Sequence, residues 1–356
     1  MSVDERRGRP TIRDVARHAG VSITTASRVV NGKPYVQREL VDRVRAAITE
    51  LGYRRNDLAR GLKVRRSRSI ALVIADLSNP FYGACAAAIE ETCRSRGYSL
   101  LLCSSDEKPD IEQAYLQLLL QRQAEGILLI PTDRDHSDLV DEQTAGIEIV
   151  AIDRPIQGLA TDCVVVDNDV AAKAATQHLL DHGHSRIAYI GAAPTLYTNV
   201  ERLRGYESAL AGAGRAPIVR MGAASVGSAR RAAQSVLQMK DPPTAIFTMN
   251  NLVTVGVLQA AHEAGLEVPR DLAIVAFDDV VLADVLRPRL TVIRQPAREL
   301  GEAAARMLIE RLEGAYSGVP RIVRLPTTFV VRESCGCHAE TQLEGPRGGS
   351  LQAARS

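Results

Sequence analysis

Polar and charged side chains recur at the ends of short apolar runs in this sequence. Asp153, Asn250 and Asp278 each follow such a run, and Arg202 lies in the first turns of a predicted helix. Carboxylates and amides exchange hydrogen bonds with vicinal hydroxyl groups, and a guanidinium group fits two adjacent oxygens. A set of this kind therefore favours the binding of a small molecule rich in hydroxyl groups.

A second set of residues has the chemistry of a helix that reads DNA. An arginine can donate two hydrogen bonds to a guanine edge, and a threonine offers a hydroxyl or a methyl group to bases and phosphates. We predict DNA contacts for six neighbouring residues: Ser22, Ile23, Thr24, Thr25, Ser27 and Arg28. Contact with phosphate alone remains the alternative for Thr25, Ser27 and Arg28, because half or more of protein–DNA hydrogen bonds go to the backbone.

Three short helices are predicted to position this DNA-reading set. Thr11 can cap a first helix, which Gly20 ends, and Ser22 can cap a second helix that begins almost at once. The two helices must therefore meet at a steep angle across a tight turn. Apolar residues at helical spacing within 40–51 predict a third helix that closes a small core. This is a helix-turn-helix head, whose second helix places its first residues in the major groove.

From residue 69 onward, short apolar runs alternate with amphipathic helices. The candidate strands lie at 70–75, 99–103, 126–130, 149–152, 164–166, 187–190, 245–248 and 273–277. Continuous apolar strands alternating with helices predict a parallel sheet that is covered on both faces. Ligands of open α/β sheets bind beyond the carboxyl ends of the strands, which is where the polar residues described first are found.

Charge is distributed unevenly along the 356 residues. The net charge is only +2, but residues 1–68 contain 17 Lys and Arg against 7 Asp and Glu, whereas the remainder contains 27 against 35. The basic part is therefore the predicted DNA-binding part, as attraction to phosphate requires. The charged N-terminus resembles no signal peptide, and no run of about 18 apolar residues occurs, so we expect a cytoplasmic protein without a membrane partner.

The six cysteines are scattered along the chain, as is typical of reduced thiols. Cys335, Cys337 and His338 form the one cluster with ligand chemistry. Three candidate ligands without a fourth nearby are insufficient for a zinc site, so we predict no metal and no cofactor, and a solvent-exposed tail instead.

Several motifs resemble the DNA-binding head of the lac repressor (LacI) family of bacterial transcription regulators. They are TIRDVARHAGVS, SRVVNG and LGY, followed by an asparagine and LARGL. Two positions depart from the family pattern: Gln37 stands where a Ser or Thr cap is usual, and Ala26 where Val is usual.

The resemblance implies a homodimer bound to double-stranded DNA at a palindromic operator. In this family two hinge helices pair in the minor groove, and a leucine from each is wedged between base pairs, a role that matches Leu62. The hinge is too short to be stable alone, and Gly61 weakens it further. The implied DNA-binding residues beyond the second helix are Thr11, Asn31, Tyr53, Asn56, Ala59 and Leu62.

The remaining motifs resemble the effector domain of the same family, which has the fold of periplasmic sugar-binding proteins. The resemblance implies an aromatic wall and a polar set around the effector, comprising Phe81, Tyr82, Asp153, Thr198, Arg202, Asn250, Asp278 and Gln295. Asn251 replaces the usual Asp, and Leu196 stands where purine-responsive members have Arg. A sugar or sugar derivative is therefore the expected effector, and a purine or another metabolite acting as corepressor is the alternative.

The expected fold is an all-α helix-turn-helix head with a hinge helix, followed by an α/β periplasmic-binding-protein-like effector domain of two doubly wound parallel-sheet lobes. The predicted segments are a basic arm (1–10), the head (11–55), hinge and linker (56–68), the effector and dimerisation domain (69–333) and a disordered tail (334–356). Lobe 1 is expected at about 69–165 plus 296–325, and lobe 2 at about 166–295 plus 326–333.

The expected function is that of a dimeric repressor of carbohydrate-utilisation genes. A transport-type sugar-binding protein would share the second part but not the basic head. A sugar-processing enzyme could use Asp153 and Asp278 as an acid–base pair, but no nucleophile motif, phosphate loop or histidine cluster with metal-ligand spacing accompanies them. We therefore predict no catalytic residues.

Overall fold

The computed structural model describes residues 10–30, 34, 36–53, 67–132, 135–280, 282 and 285–337. The chain divides into two compact units, Met1–Ser67 and Arg68–Ser356. None of the helices in these ranges is long and apolar enough to span a membrane.

The first unit contains three helices: α1 (Ile12–Ala19), α2 (Ile23–Val30) and α3 (Arg38–Leu51). The Thr11 hydroxyl and backbone N–H both donate to the Asp14 carboxylate, at 2.6 and 2.9 Å, and these hydrogen bonds lower the pKa of Asp14. Gly20 ends α1 at a φ of +61°, a left-handed conformation that glycine adopts without strain. The predicted tight turn between α1 and α2 is therefore confirmed.

A small core holds the three helices together. Its fully buried members are small or β-branched, which allows the helix axes to approach closely: Val15, Ala16, Ala19, Ala26, Val44 and Ala47. Gln37 precedes α3 at the capping position, and its side chain makes no capping hydrogen bond. This agrees with its departure from the Ser or Thr that is usual in the family. Arg43 on α3 donates to the carbonyl of Ala19 at 2.6 Å and so fastens α3 to the end of α1.

The second unit contains two six-stranded sheets. Its strands are β1 (Ser69–Ile74), β2 (Ser99–Ser104), β3 (Gly126–Leu129), β4 (Glu148–Ile152), β5 (Asp162–Val166), β6 (Ile187–Ile190), β7 (Ile218–Arg220), β8 (Ala245–Thr248), β9 (Ala273–Phe277), β10 (Thr291–Arg294), β11 (Ile322–Leu325) and β12 (Thr328–Val330). The strand orders are β11-β5-β4-β3-β1-β2 in lobe 1 and β12-β10-β9-β8-β6-β7 in lobe 2. All pairs are parallel except β10 with β12, which confirms the predicted pair of parallel-dominated sheets.

Helices cover both faces of each sheet. They are α4 (Pro80–Ser95), α5 (Pro109–Gln121), α6 (Val140–Thr144), α7 (Asn168–Asp181), α8 (Tyr197–Gly212), α9 (Val226–Leu237), α10 (Asn251–Glu263) and α11 (Ala297–Leu312). The chain crosses between the lobes three times: after β5, after β10 and between β11 and β12. These crossings place the carboxyl ends of strands from both sheets around one cleft.

All eight predicted strands are present, but four others were missed. The missed strands β7 and β12 have only three residues each, and β11 is half exposed with alternating burial. Short edge strands lack the continuous apolar run by which buried parallel strands are recognised. β10 is buried, but it has only four residues and directly follows a loop rich in charged residues and proline. Its short apolar run was therefore not recognised as a strand.

The predicted start of the disordered tail, at residue 334, is wrong because the residues that follow are held in the fold. Ser334 and Cys335 are buried, and the Ser334 hydroxyl donates to the carbonyl of Ile274 on β9 at 2.6 Å. The backbone N–H of Ile274 in turn donates to the carbonyl of Ser334 at 2.7 Å. Composition suggested a tail because Gly and polar residues dominate there, but these hydrogen bonds fasten the segment to lobe 2. Residues 338–356 lie outside the described residues.

One buried carboxylate joins three elements of lobe 1. Asp162, at the start of β5, accepts hydrogen bonds from Arg311 on α11 at 2.8 and 2.9 Å and from Arg321 before β11 at 2.9 Å. Burial raises the pKa of Asp162, but the hydrogen bonds from Arg311 and Arg321 outweigh it and lower this pKa to about 2.

We predict that Asp162→Asn lowers the free energy of unfolding by roughly 1.5–3 kcal/mol at neutral pH, the range for hydrogen bonds to charged groups. A depressed pKa contributes stability above the unfolded value of about 3.9, and this contribution is lost as the pH falls towards 2. Urea unfolding of both proteins should therefore show a difference at pH 7 that shrinks below about pH 4. Equal stability at pH 7 would contradict this role.

Candidate effector pocket and DNA-reading surface

The first turns of α2 present an exposed face on the head. Ile23, Thr24 and Arg28 are exposed, and Ile23 is 50% accessible although it is a large apolar residue. Thr25 is half buried, and its hydroxyl lies 2.8 Å from that of Ser22, which also accepts from the Thr25 backbone N–H. Four of the six predicted readers are therefore exposed, including Ser22, while Thr25 and Ser27 are half buried. Ser22 and Thr25 also stabilise the start of α2.

The other predicted DNA contacts divide into two groups. Tyr53 is half buried and packs against the core of the head. Thr11 is exposed and caps α1. The predictions for Asn31, Asn56, Ala59 and Leu62 lie outside the described residues.

A cavity of about 440 Å³ lies in the cleft between the two lobes. All eight residues of the predicted effector set line it: Phe81, Tyr82, Asp153, Thr198, Arg202, Asn250, Asp278 and Gln295. Lobe 1 contributes the aromatic pair and Asp153, and lobe 2 contributes most of the remainder. The structure therefore brings together residues that are more than 200 positions apart in sequence.

On the lobe 1 side, a guanidinium group organises the wall. Arg154 is 2% exposed and binds the Glu107 carboxylate with two hydrogen bonds, at 2.6 and 3.1 Å. The same guanidinium donates to the Tyr82 hydroxyl at 3.2 Å, and that hydroxyl lies 3.5 Å from Asp153. Phe81 packs edge-on against Tyr82, with ring centroids 5.1 Å apart. The aromatic wall is therefore fixed before any ligand arrives.

On the lobe 2 side, Arg202 is held by neutral partners. It is 3% exposed, donates to the Asn168 side chain at 2.8 Å and to the carbonyl of Met249 at 2.7 Å, and lies 3.5 Å above the Phe277 ring. Among the described residues no carboxylate lies within 4.0 Å of its guanidinium group. A buried cation without a directly paired anion retains the capacity to bind ligand oxygens.

Asp153 directly follows β4, and Asp278 directly follows β9. Both have a left-handed backbone conformation, with φ values of +69° and +74°. Such a conformation is uncommon for residues other than glycine and is often found at functional sites. Burial raises the pKa of both carboxyls. The charges of Arg154 and then Arg202 offset part of this rise for Asp153, and the charge of Arg202 does so for Asp278. The Asp278 carboxylate also accepts from Gln295 at 2.6 Å, which orients it towards the cavity edge.

Helix caps account for part of the predicted set. Asn250 accepts from the backbone N–H of Val253 at 3.0 Å and so caps α10, while it also lines the cavity. Asn79 caps α4 in the same way through Phe81. The Asn251 amide donates to the Asn79 side chain at 3.2 Å and joins the two lobes at the cavity.

Three residues at or next to the cavity were not predicted from the sequence. Asp153 was recognised as a strand end, but neighbouring Arg154 and its partner Glu107 were not, because the ion pair joins loops that follow different strands. Asn79 was likewise missed, although an Asn before Pro at a helix start is a cap signal that could have identified it. Leu196, which stands where purine-responsive family members have Arg, lines the cavity and is 8% exposed.

Two family models match the chain. The model for bacterial regulatory proteins of the lacI family matches residues 11–56, and that for a periplasmic binding protein-like domain matches residues 176–335.

Individual relatives match over nearly the full length. The chain is similar to the ribose operon repressor of Halalkalibacterium halodurans, at 35% identity over 91% of this chain and 96% of that protein. It is similar to the transcriptional repressor PurR of Photobacterium profundum, at 32% identity over 91% and 98%. Among solved structures, the lac repressor dimer bound to operator and the anti-inducer ONPF has a TM-score of 0.80 and 25% identity, over 92% of this chain and 99% of that one.

We predict that Asp278→Asn leaves the ligand-free protein as stable as the wild type at acidic pH and more stable at neutral pH. The folded protein holds the Asp278 proton more tightly than the unfolded chain does, so burial of its charge costs stability only as the pH rises above about 3.9. Asparagine keeps an oxygen that can accept from Gln295. Thermal unfolding between pH 4 and 8 measures the difference, and a variant less stable at pH 7 would show that attraction to Arg202 outweighs burial.

Proposed function

The chain belongs to the lacI family of bacterial regulatory proteins, and we propose that it is a dimeric repressor of carbohydrate-utilisation genes that a small sugar releases from a palindromic operator. The cytoplasm is the proposed location, and the proposed function includes no catalytic step. The observation that carries the proposal is the polar cavity between the lobes, which lies in the same chain as an exposed helix of DNA-reading chemistry.

The cavity supports a sugar as the effector. Its volume of about 440 Å³ falls within the usual range for small-molecule sites. Asp153 and Asp278 can accept hydrogen bonds from hydroxyl groups, and Arg202 can donate to ring or hydroxyl oxygens. The Phe81 and Tyr82 rings offer an apolar surface for the C–H face of a sugar ring.

A purine acting as corepressor is the second candidate. The similarity to PurR favours it, whereas the similarity to the ribose operon repressor favours a sugar. Leu196 at the cavity wall offers no hydrogen bond to a nucleobase, and the two buried carboxyls accept more readily than they donate. The lining therefore suits a ligand with many hydroxyl donors better than a flat heterocycle.

The proposed mechanism is a linkage between the cavity and the DNA-reading head. A ligand that prefers one arrangement of the lobes shifts their equilibrium by its difference in affinity. If that arrangement separates the hinges of the dimer, the ligand lowers operator affinity by about 5- to 150-fold, the usual range of coupling. The proposed hinge residues Asn56, Ala59 and Leu62 would act as the switching element, because a short helix forms only when it is packed.

We expect a thermal-shift screen of the purified protein to identify a sugar. The panel contains ribose and other monosaccharides, disaccharides, sugar phosphates, polyols, hypoxanthine and guanine. A ligand at about 100 times its dissociation constant adds about 2.7 kcal/mol of stability, which is readily detected. Stabilisation by a purine with no response to any sugar would replace the sugar proposal with the corepressor alternative.

Arg202→Ala should weaken binding of the sugar found in that screen by at least about 10-fold, since it removes a charged hydrogen-bond donor worth roughly 1.5–3 kcal/mol. Isothermal titration calorimetry measures the loss. Arg204→Ala is the matched control, because Arg204 lies on the same helix and pairs with Asp169 and Glu201 outside the cavity. Equal losses in both variants would indicate damage to α8 rather than loss of a ligand contact.

Arg28→Ala should lower affinity for the operator by about 1–3 kcal/mol, with a smaller effect on unrelated DNA, if Arg28 reads a base edge. Operator fragments for fluorescence anisotropy are obtained by selection from random duplexes. Arg45→Ala removes the same charge from an exposed position on α3 and serves as the control. A uniform loss on all sequences would assign Arg28 to phosphate contact.

A further inference from the structure

Three side chains with soft-metal ligand chemistry meet on lobe 2, away from the effector cavity. His178 lies near the end of α7, whereas Cys335 and Cys337 follow β12. One ligand atom from each residue lies within 4.8 Å of the other two, and the sulfurs of Cys335 and Cys337 are 3.0 Å apart. The sequence suggested no metal site because its cluster lacked further ligands nearby, and His178 is more than 150 positions away.

The cysteine segment is held firmly in place. Ser334 bridges two strands, since its hydroxyl donates to Ile274 on β9 and accepts from the backbone N–H of Thr291 on β10 at 2.8 Å. Gly336 has a φ of +80°, a conformation that glycine adopts without strain and that turns the chain between the two cysteines. Both thiols therefore lie on the same side of a fixed turn.

The imidazole of His178 packs against two rings, that of Phe329 and that of His182, whose ring centroid lies 4.3 Å away. The Phe329 ring of β12 packs edge-on against it, at 5.0 Å between centroids, and the His182 ring hydrogen-bonds the His178 backbone carbonyl at 2.6 Å. The His178 Nε2 atom is shielded from solvent, and the His178 ring lies beside the Cys335 thiol. A shielded ring nitrogen beside two thiols is suited to be a ligand atom.

The pKa values of the two thiols are shifted in opposite directions. Burial raises the pKa of the Cys335 thiol, but the adjacent His178 ring, Cys337 and Thr291 outweigh burial and lower this pKa to about 6. Burial and the neighbouring Cys335 sulfur raise the pKa of Cys337 to about 12.

We propose that His178, Cys335 and Cys337 bind a Zn²⁺ ion, with a water molecule as the fourth ligand. Two thiolates and one imidazole are characteristic zinc ligands. Tetrahedral zinc with bonds of about 2.3 Å to sulfur requires the two sulfurs to be about 3.7 Å apart, so the thiols need to separate only slightly. Zinc binds cysteine as the thiolate, so binding releases any thiol proton and zinc affinity increases with pH. The ion would fasten the segment after β12 to α7.

A disulfide between Cys335 and Cys337 is the competing use of the same thiols. It would leave the shielded nitrogen of His178 without a partner, whereas zinc engages all three side chains. Zinc is therefore the occupant that accounts for the whole cluster.

The test uses the full-length protein, stripped with a chelator and kept reduced with a phosphine. Zinc content after dialysis against Zn²⁺, measured by inductively coupled plasma mass spectrometry, should be about one ion per chain above the control. Cobalt(II) should give a thiolate-to-metal charge-transfer band and the visible spectrum of a tetrahedral site. Thermal unfolding should shift upward when zinc is added, because the ion binds the folded state.

Cys337→Ser and His178→Gln should each weaken zinc binding on the order of 100-fold or more, since even changes outside the ligand shell cost 10- to 100-fold. Both residues are only partly buried, so these variants disturb packing less than a change at Cys335 would. Cys103→Ser and His262→Gln, which alter a half-buried thiol of β2 and an exposed imidazole of α10, are the matched controls and should bind like the wild type.

Two results would overturn the proposal. One is wild-type protein that takes up no more zinc than Cys337→Ser and gives no cobalt–thiolate band. The other is reduced, stripped protein that ignores zinc but loses two hydrogens per chain on mild oxidation, with Cys335 and Cys337 joined in the peptide map. The second result would assign the pair to a disulfide. Neither outcome depends on DNA or sugar binding, so the proposal stands or falls apart from the proposed function.

Discussion

The organisation of the second unit depends on charged groups that are buried in the cleft between its lobes. Arg202, Asp153 and Asp278 are each at most 5% exposed. Taking such groups out of water is costly unless polar partners replace the lost hydration. Within the described part of the chain, Arg202 is held by an amide, a carbonyl and an aromatic face, and burial raises the pKa of both carboxyls. A polar ligand would supply the missing partners, which is why the cavity supports a hydroxyl-rich effector.

The same constraint explains why ligand binding can be coupled to movement. Asp153 and the Arg154–Glu107 pair belong to lobe 1, whereas Arg202 and Asp278 belong to lobe 2, so a ligand in the cavity would face charges on both lobes. Across the cleft the described side chains make a direct hydrogen bond between Asn79 and Asn251. A ligand in this position can therefore bind one arrangement of the lobes more tightly than another, as a population shift requires.

Much of the fold could be predicted because its elements have strong local signals. The buried strands read as continuous apolar runs, and Thr11, Gly20 and Ser22 mark the helix ends of the head. Asp153, Asn250 and Asp278 could be predicted because strand ends in an α/β sheet face the ligand site, whereas Phe81, Tyr82, Thr198 and Gln295 were implied by the family resemblance. What could not be predicted depends on contacts that are distant in sequence: the Arg154–Glu107 pair, the four weakly patterned strands, and the meeting of His178 with the cysteines. The segment after residue 333 has the composition of a tail, and only its hydrogen bonds to β9 and β10 show otherwise.

If the cavity between the lobes binds a sugar and thereby controls DNA affinity, the coupling between the two sites must be reciprocal. The affinity for the sugar is measured by calorimetry with the protein free and with the protein saturated by operator duplex. We expect operator to weaken sugar binding by the same factor by which sugar weakens operator binding, about 5- to 150-fold. A sugar affinity that is identical with and without operator would contradict it, because a ligand with equal affinity for both states shifts nothing.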